Sequence, residues 1–148
     1  MKTESDGTHA TLRALASSPI RILLVEDSPG DVRLVREMLR ENTGIDLESV
    51  GCLAEAGVRL TRGGIAIVLL DLGLPDSQGI DTLTSFRRAH PSVPVVALTG
   101  LADDEMALTA VAAGAQDYLV KGTVTAEILR RTVRHAIERR RAEEAMRE

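Results

Sequence analysis

Residues Ile65 to Leu70 form an unbroken apolar run that ends in Asp71, with Gly73, Pro75, Ser77 and Gly79 close behind. An apolar run of that length, bounded by turn formers, predicts a strand buried on both faces. Such a strand belongs inside a parallel sheet covered by helices on either side, which narrows the folds open to the chain. It also leaves an acid at the carboxyl end of a central strand, the edge where open parallel sheets bind ligands. Taken alone, Asp71 has a plainer reading, because Asp commonly opens turns.

The flanking segments fit the same plan. Ile20 to Val25 reads as a strand ending in Glu26-Asp27, with Ser28 as N-cap and Pro29 as first residue of the next helix. Val32, Leu34, Val35, Met38 and Leu39 carry helical spacing, and Asn42-Thr43-Gly44 is a stop signal. Ile45 to Val50 alternates, as suits a strand nearer an edge, and Ala54 to Leu60 is a short helix before Gly63-Gly64. After the Asp71 strand, Ile80, Leu83 and Phe86 space out a third helix that ends before His90-Pro91. Val93 to Leu98 is a fourth strand running into Thr99, with Pro94 near its start, where a missing N–H is tolerable. Asp103 or Asp104 caps a helix through Met106, Leu108, Val111 and Ala112, which Gly114 ends. Ala115 to Val120 is a fifth strand running into Lys121-Gly122, and Thr125 starts the last helix, with Ile128, Leu129, Val133, Ala136 and Ile137 as its docking stripe.

Strands alternating with helices predict an α/β fold with a parallel sheet covered on both faces. Right-handed crossovers leave few topologies. Parallel strands all point one way, so Glu26-Asp27, Asp71, Thr99 and Lys121 converge on one rim.

Composition removes several classes. A net charge of −4 argues against a nucleic-acid binder. No apolar run approaches the ~20 residues of a membrane span, and no secretory core is evident at the N-terminus. The single cysteine, Cys52, excludes an internal disulfide, fits a reducing, cytoplasmic compartment and is expected to be a small buried apolar residue. His9, His90 and His135 show no metal-ligand spacing. Phe86 and Tyr118 are the only aromatic residues, so the core must be Leu, Val, Ile and Ala. The length of 148 residues suits one domain: a flexible tail over 1–19, a folded unit over 20–138, and a charged extension of the last helix over 139–148.

The ordered set of Glu26-Asp27, Asp71, Thr99, Tyr118 and Lys121, with four of its members at the ends of four strands, resembles the receiver domain of two-component response regulators over residues 20 to 138. The resemblance implies a flavodoxin-like, doubly wound five-stranded sheet of order 2-1-3-4-5. It implies Asp71 as phosphoacceptor, Mg²⁺ held by Glu26, Asp27, Asp71 and the backbone carbonyl of Gly73, and a switch pair in Thr99 and Tyr118. The phosphoryl donor it implies is a phosphohistidine on a sensor histidine kinase or phosphotransfer protein. The output would be a downstream protein bound by the face of the fourth and fifth strands and last two helices.

The chemistry agrees. A carboxylate can attack phosphorus. Mg²⁺ prefers oxygen ligands and keeps several waters, so two or three carboxylates suffice. Lys121 brings a compact positive charge to a phosphate oxygen, and the Thr99 hydroxyl a hydrogen bond. Such a module catalyses only its own phosphorylation and dephosphorylation.

One departure stands out. The family usually carries proline after the lysine, through a cis bond, whereas Gly122 follows Lys121 here. A non-proline cis bond costs about 2.5–4 kcal/mol, so either the site meets that cost or the loop is trans. Rival readings fit less well. A haloacid-dehalogenase-type phosphatase needs an acid where Gly73 stands, and a flavodoxin would have a Ser/Thr/Gly phosphate loop in place of Glu26-Asp27-Ser28-Pro29. A pseudo-receiver typically lacks one of the acids or the phosphoacceptor. Arg139 to Arg141 and Glu143-Glu144 read as a solvated extension, and Ala142, Ala145 and Met146 as a weak seam for a homodimer or a partner's helix. The chain reads either as a stand-alone receiver or as part of a larger sensor, kinase or cyclase protein.

Overall fold

The computed structural model describes residues 19–41, 44–100 and 103–147. Most of the expected tail, the Asn42-Thr43 stop signal and Glu148 lie outside them. The elements run β1 (Ile20–Val25), α1 (Pro29–Leu39), β2 (Ile45–Val50), α2 (Leu53–Leu60), β3 (Ile67–Asp71), β4 (Gly73–Leu74), β5 (Ser77–Gln78), α3 (Ile80–Ala89), β6 (Val95–Thr99), α4 (Asp104–Ala112), β7 (Asp117–Val120) and α5 (Ala126–Arg147). The main sheet is parallel, in the order β2-β1-β3-β6-β7. This is the expected 2-1-3-4-5 arrangement, because β4 and β5 pair only with each other, antiparallel.

The continuous apolar strands are explained by two cores. Ile22, Leu24, Ile67, Leu69, Val96 and Leu98 face α1 and α5, where Val35, Leu39, Leu129, Val133 and Ile137 meet them. The alternate residues, Leu23, Val25, Val68, Leu70, Val95 and Ala97, face Ala56, Leu83, Phe86 and Ala110 of α2, α3 and α4. Each fully buried aliphatic side chain contributes about 1.5–3 kcal/mol, and the stretches Ile22 to Val25, Ile67 to Asp71 and Val95 to Leu98 leave no solvent face in the middle of the sheet, whereas Arg21 at the start of β1 is exposed.

The helix starts follow local chemistry. Ser28 Oγ accepts from the Asp31 N–H at 3.3 Å with Pro29 at the first turn, Asp103 caps α4, and Thr125 Oγ1 accepts from the Ile128 N–H at 3.2 Å. Gly114 closes α4 at φ +106°, and a Cβ there would lie 2.6 Å from the Arg87 guanidinium. Among the described residues no helix is long and apolar enough to cross a membrane.

Several local expectations are corrected. Ile128 is not part of the docking stripe: it is 42% exposed, because the stripe begins at Leu129. Leu108 and Val111 point outward, and Ala110 supplies the buried contact of α4. Cys52 is only half-buried, because it sits at the start of α2 beyond the end of the edge strand β2. The turn after Asp71 is a small hairpin. The Gly79 N–H bonds the Leu72 carbonyl at 2.6 Å, and Thr82 Oγ1 donates to Ser77 Oγ at 2.9 Å. Gly79 adopts φ +70°, a conformation open to glycine. The charged end of α5 is less solvated than its composition suggests. Arg140 is buried and donates to the Pro91 carbonyl at 3.2 Å, and Arg139 reaches the Gln116 carbonyl at 3.0 Å.

Candidate functional site

The rim at the carboxyl ends of the strands is built by extending the ladder. The Glu26 N–H donates to the Val50 carbonyl at 2.9 Å, Leu72 to Leu98 at 3.0 Å, and Lys121 to Thr99 at 2.7 Å. These bonds fix the backbone immediately after each strand. They bring Glu26, Asp71, Thr99 and Lys121 to one edge of the sheet.

Glu26 and Asp71 are buried, Asp27 is exposed, and one carboxylate oxygen from each lies within 4.8 Å of the others. The Gly73 N–H donates to Asp71 Oδ1 at 3.1 Å, and the Ser28 N–H to Glu26 Oε1 at 3.0 Å. Lys121 Nζ donates to Asp31 Oδ2 at 2.8 Å, Glu26 Oε2 at 3.1 Å and Asp71 Oδ2 at 3.4 Å. Beside them opens a cavity of about 350 Å³ lined by Asp71, Gln78, Thr99, Met106, Tyr118 and Lys121. Thr99 and Tyr118 therefore share one space with Asp71. No peptide bond among the described residues is cis, so the Lys121–Gly122 bond is trans.

Burial pushes the Glu26 carboxyl up to about 7, and its contact with Asp71 adds to the rise, while the Ser28 N–H and Lys121 pull the other way. Burial would lower the Lys121 ammonium, but its bonds to Asp31 and Glu26 and the charge of Asp71 outweigh that and hold it above its usual value. Once Glu26 ionises, the buried acids carry more negative charge than one lysine compensates. Such an oxygen-only donor set suits a hard divalent cation.

The Glu26 shift has a consequence for stability. Between about pH 4.5 and about 7 the folded protein holds a proton that the unfolded chain has lost. The stability this contributes is complete below the lower value and lost as pH rises through the upper one. In EDTA, wild type should therefore lose stability relative to Glu26→Gln across that window, by on the order of 1–3 kcal/mol, with no further divergence above pH 8. Urea unfolding of both proteins from pH 5 to 8.5 measures it, and parallel curves would refute the assignment.

Two residues of the rim were not foreseen. Asp31 is absent from the expected set yet makes the shortest bond to Lys121. In the sequence it looks like an ordinary acid favoured at a helix N-terminus. Asp76 accepts from the Leu53 and Ala54 N–H groups at 3.1 and 3.2 Å and so ties the β4–β5 hairpin to the start of α2. Burial opposes its ionisation slightly, but those N–H groups hold its carboxyl below the usual range.

A family model described as the response regulator receiver domain matches residues 22–133. The luminescence regulatory protein LuxO of Vibrio campbellii is 37% identical over 114 residues, covering 77% of this chain and 25% of LuxO. The chain spans a quarter to about half the length of the curated relatives it matches. The crystal structure of the signal receiver domain of a LuxO repressor protein from Vibrio parahaemolyticus superimposes with a TM-score of 0.75 at 26% identity, covering 88% of this chain and 98% of that one. The Mn²⁺-bound form of the response regulator Rcp1 superimposes with a TM-score of 0.62 at 28% identity, covering 78% of this chain and 90% of that one.

Proposed function

Because the chain belongs to the receiver domains of two-component response regulators, we propose that it accepts a phosphoryl group on Asp71 and signals through the face formed by β6, β7, α4 and α5. The observation that carries this reading is the buried Asp71 carboxylate at the end of a central strand, oriented by the Gly73 N–H and within reach of Lys121. The donor is a phosphohistidine on a partner histidine kinase or phosphotransfer protein. An Asp71 oxygen attacks phosphorus, the P–N bond breaks, and its electron pair returns to the imidazole. The product is an acyl phosphate. Lys121 meets one phosphoryl oxygen and the Thr99 hydroxyl donates to another. Such a module turns over no substrate beyond its own phosphoryl group.

Glu26, Asp27 and Asp71, with the Gly73 backbone carbonyl, are the proposed Mg²⁺ ligands, and the existence of an Mn²⁺-bound form of Rcp1 supports the binding of a divalent cation. When bound, Mg²⁺ neutralises charge on the phosphoryl oxygens. The Thr99 hydroxyl moves toward the new phosphate, and Tyr118 fills the cavity space it vacates. A charge event at the rim thereby biases a two-state element that the output face carries. A weak homodimer, or contact with a partner's helix, through α5 belongs to the same reading. It is supported by exposed Ala142, Ala145 and Met146, the last 88% exposed. Sedimentation velocity at high micromolar concentration, with and without a phosphate mimic, decides it: a monomer under both conditions overturns the dimer.

Acetyl phosphate with Mg²⁺ tests the main proposal. One hydroxylamine-labile label per chain is expected, on the peptide containing Asp71, with amide shifts changing along β6, β7 and α4. In Thr99→Ala the label should form while those shifts largely disappear. A label on another residue, or unchanged shifts in the labelled wild type, would overturn the reading.

A further inference from the structure

The tightest bond to the rim lysine comes from a residue that phosphoryl transfer does not use. Lys121 Nζ lies 2.8 Å from Asp31, against 3.1 Å from Glu26 and 3.4 Å from Asp71. Asp31 is fixed in the first turn of α1, where its N–H is held by Ser28 Oγ. The lysine side chain is 15% exposed and that of Asp31 36%, so the pair is partly shielded from water.

The Lys121 N–H is held by the Thr99 carbonyl at 2.7 Å, which places its Cα but leaves the long stem to be aimed by other contacts. The following residue is Gly122, which has neither the ring of proline nor a Cβ to restrict it. A lysine is a point charge on a flexible four-carbon chain, so the ammonium goes where its bonds hold it. Two of its three carboxylates, Glu26 and Asp71, belong to the acidic cluster, and Asp31 does not. Asp31 is thus the partner that keeps its full charge for the lysine when the cluster serves a cation and a phosphoryl group.

We propose that Asp31 is a positioning residue that holds the Lys121 ammonium beside the phosphoacceptor. The inference rests on the reading of Asp71 as that phosphoacceptor. An acid that serves only the helix dipole would affect helix stability alone and would leave Lys121 where it is.

The experiment compares wild type, Asp31→Asn, Asp31→Glu, Lys121→Ala and the double variant Asp31→Asn/Lys121→Ala. The rate of labelling by acetyl phosphate is measured at saturating Mg²⁺. Loss of one charge-assisted bond is expected to slow Asp31→Asn about tenfold. Asp31→Glu should recover to within about threefold of wild type, the carboxylate being retained on one more methylene. In the Lys121→Ala background Asp31→Asn should have no further effect, since its action runs through the missing ammonium. Nitrogen-15 spectra of the lysine side chains, recorded without donor, provide a second readout. The Lys121 ammonium signal, slowed in exchange by its bonds, should be lost or shifted in Asp31→Asn.

Wild-type labelling by Asp31→Asn, an equal slowing in the Lys121→Ala background, or an unchanged ammonium signal would each overturn the proposal. Absence of label from every chain, wild type included, is a different failure. It would refute the phosphoacceptor reading, and the ammonium spectra alone would then decide whether Asp31 holds Lys121.

Discussion

Asp71→Asn should take no label from acetyl phosphate, whatever the Mg²⁺ concentration, while remaining folded. The amide matches the carboxylate in shape but is not a nucleophile, so the loss should be complete rather than graded. The surroundings tolerate the change. The Gly73 N–H keeps an oxygen acceptor, and Lys121 gives up only its longest bond, at 3.4 Å, while keeping Asp31 and Glu26. Asp71 also raises the Glu26 carboxyl, so its removal relieves like-charge repulsion within a buried pair. The melting temperature of Asp71→Asn in EDTA at pH 7.5 should therefore be no lower than that of wild type. Mass spectrometry of the intact chain, with that melting curve beside it, separates a lost nucleophile from a lost fold. A variant labelled like wild type would remove Asp71 from the mechanism.

Lys121→Met should have the second largest effect, in opposite directions on stability and on metal affinity. Met fills similar volume with a flexible chain, so packing is little disturbed. The lost ammonium leaves Glu26 and Asp71, 3% and 4% exposed, without their cation. Breaking a buried pair from one side is costly, and here the loss should be on the order of 3 kcal/mol in EDTA at pH 8. The deficit should shrink at pH 6, where Glu26 escapes by taking up a proton. Mg²⁺ should bind the variant more tightly than wild type, because the ammonium no longer competes for the same oxygens. At 100 times its dissociation constant the metal should return about 2.7 kcal/mol. Phosphorylation should nonetheless be slower, since a phosphoryl oxygen has lost its lysine. Urea titrations with and without Mg²⁺ measure the first two effects. Equal stability in EDTA, or weaker Mg²⁺ binding, would contradict this account of the rim.

The sequence is most legible where one physical cause dominates. The run ending in Asp71 had to be apolar throughout because β3 is buried on both faces, and the same holds for β1 from Ile22 onward and for β6 as far as Leu98. Glu26, Asp71, Thr99 and Lys121 were recognisable because each follows or ends a strand, and parallel strands share one rim. What escaped depends on contacts between distant residues. Asp31 meets a lysine 90 residues away, and nothing in its neighbourhood distinguishes it from a helix-capping acid. Asp76 lies among turn formers, but the helix it caps lies more than 20 residues upstream. The two-residue strands β4 and β5 are too short to carry a period. Arg140 sits in a run of charge that reads as solvated, yet the Pro91 carbonyl draws it into the protein. Ile128 failed for a simpler reason, since apolar identity does not say which side of a helix faces the sheet.

The chain holds no tryptophan and a single tyrosine, Tyr118, which lines the cavity beside Asp71. Excited at wavelengths too long for Phe86 to absorb, the chain therefore emits from one position. In the proposed switch, that position is the one where new charge and a displaced hydroxyl would alter the quenching of a phenol. Changes in intensity or lifetime on adding Mg²⁺, acetyl phosphate or a non-fluorescent partner peptide are readings from that cavity. The protein thus carries a native optical label at its own rim, and its kinetics can be followed by stopped flow without dye, tag or substitution.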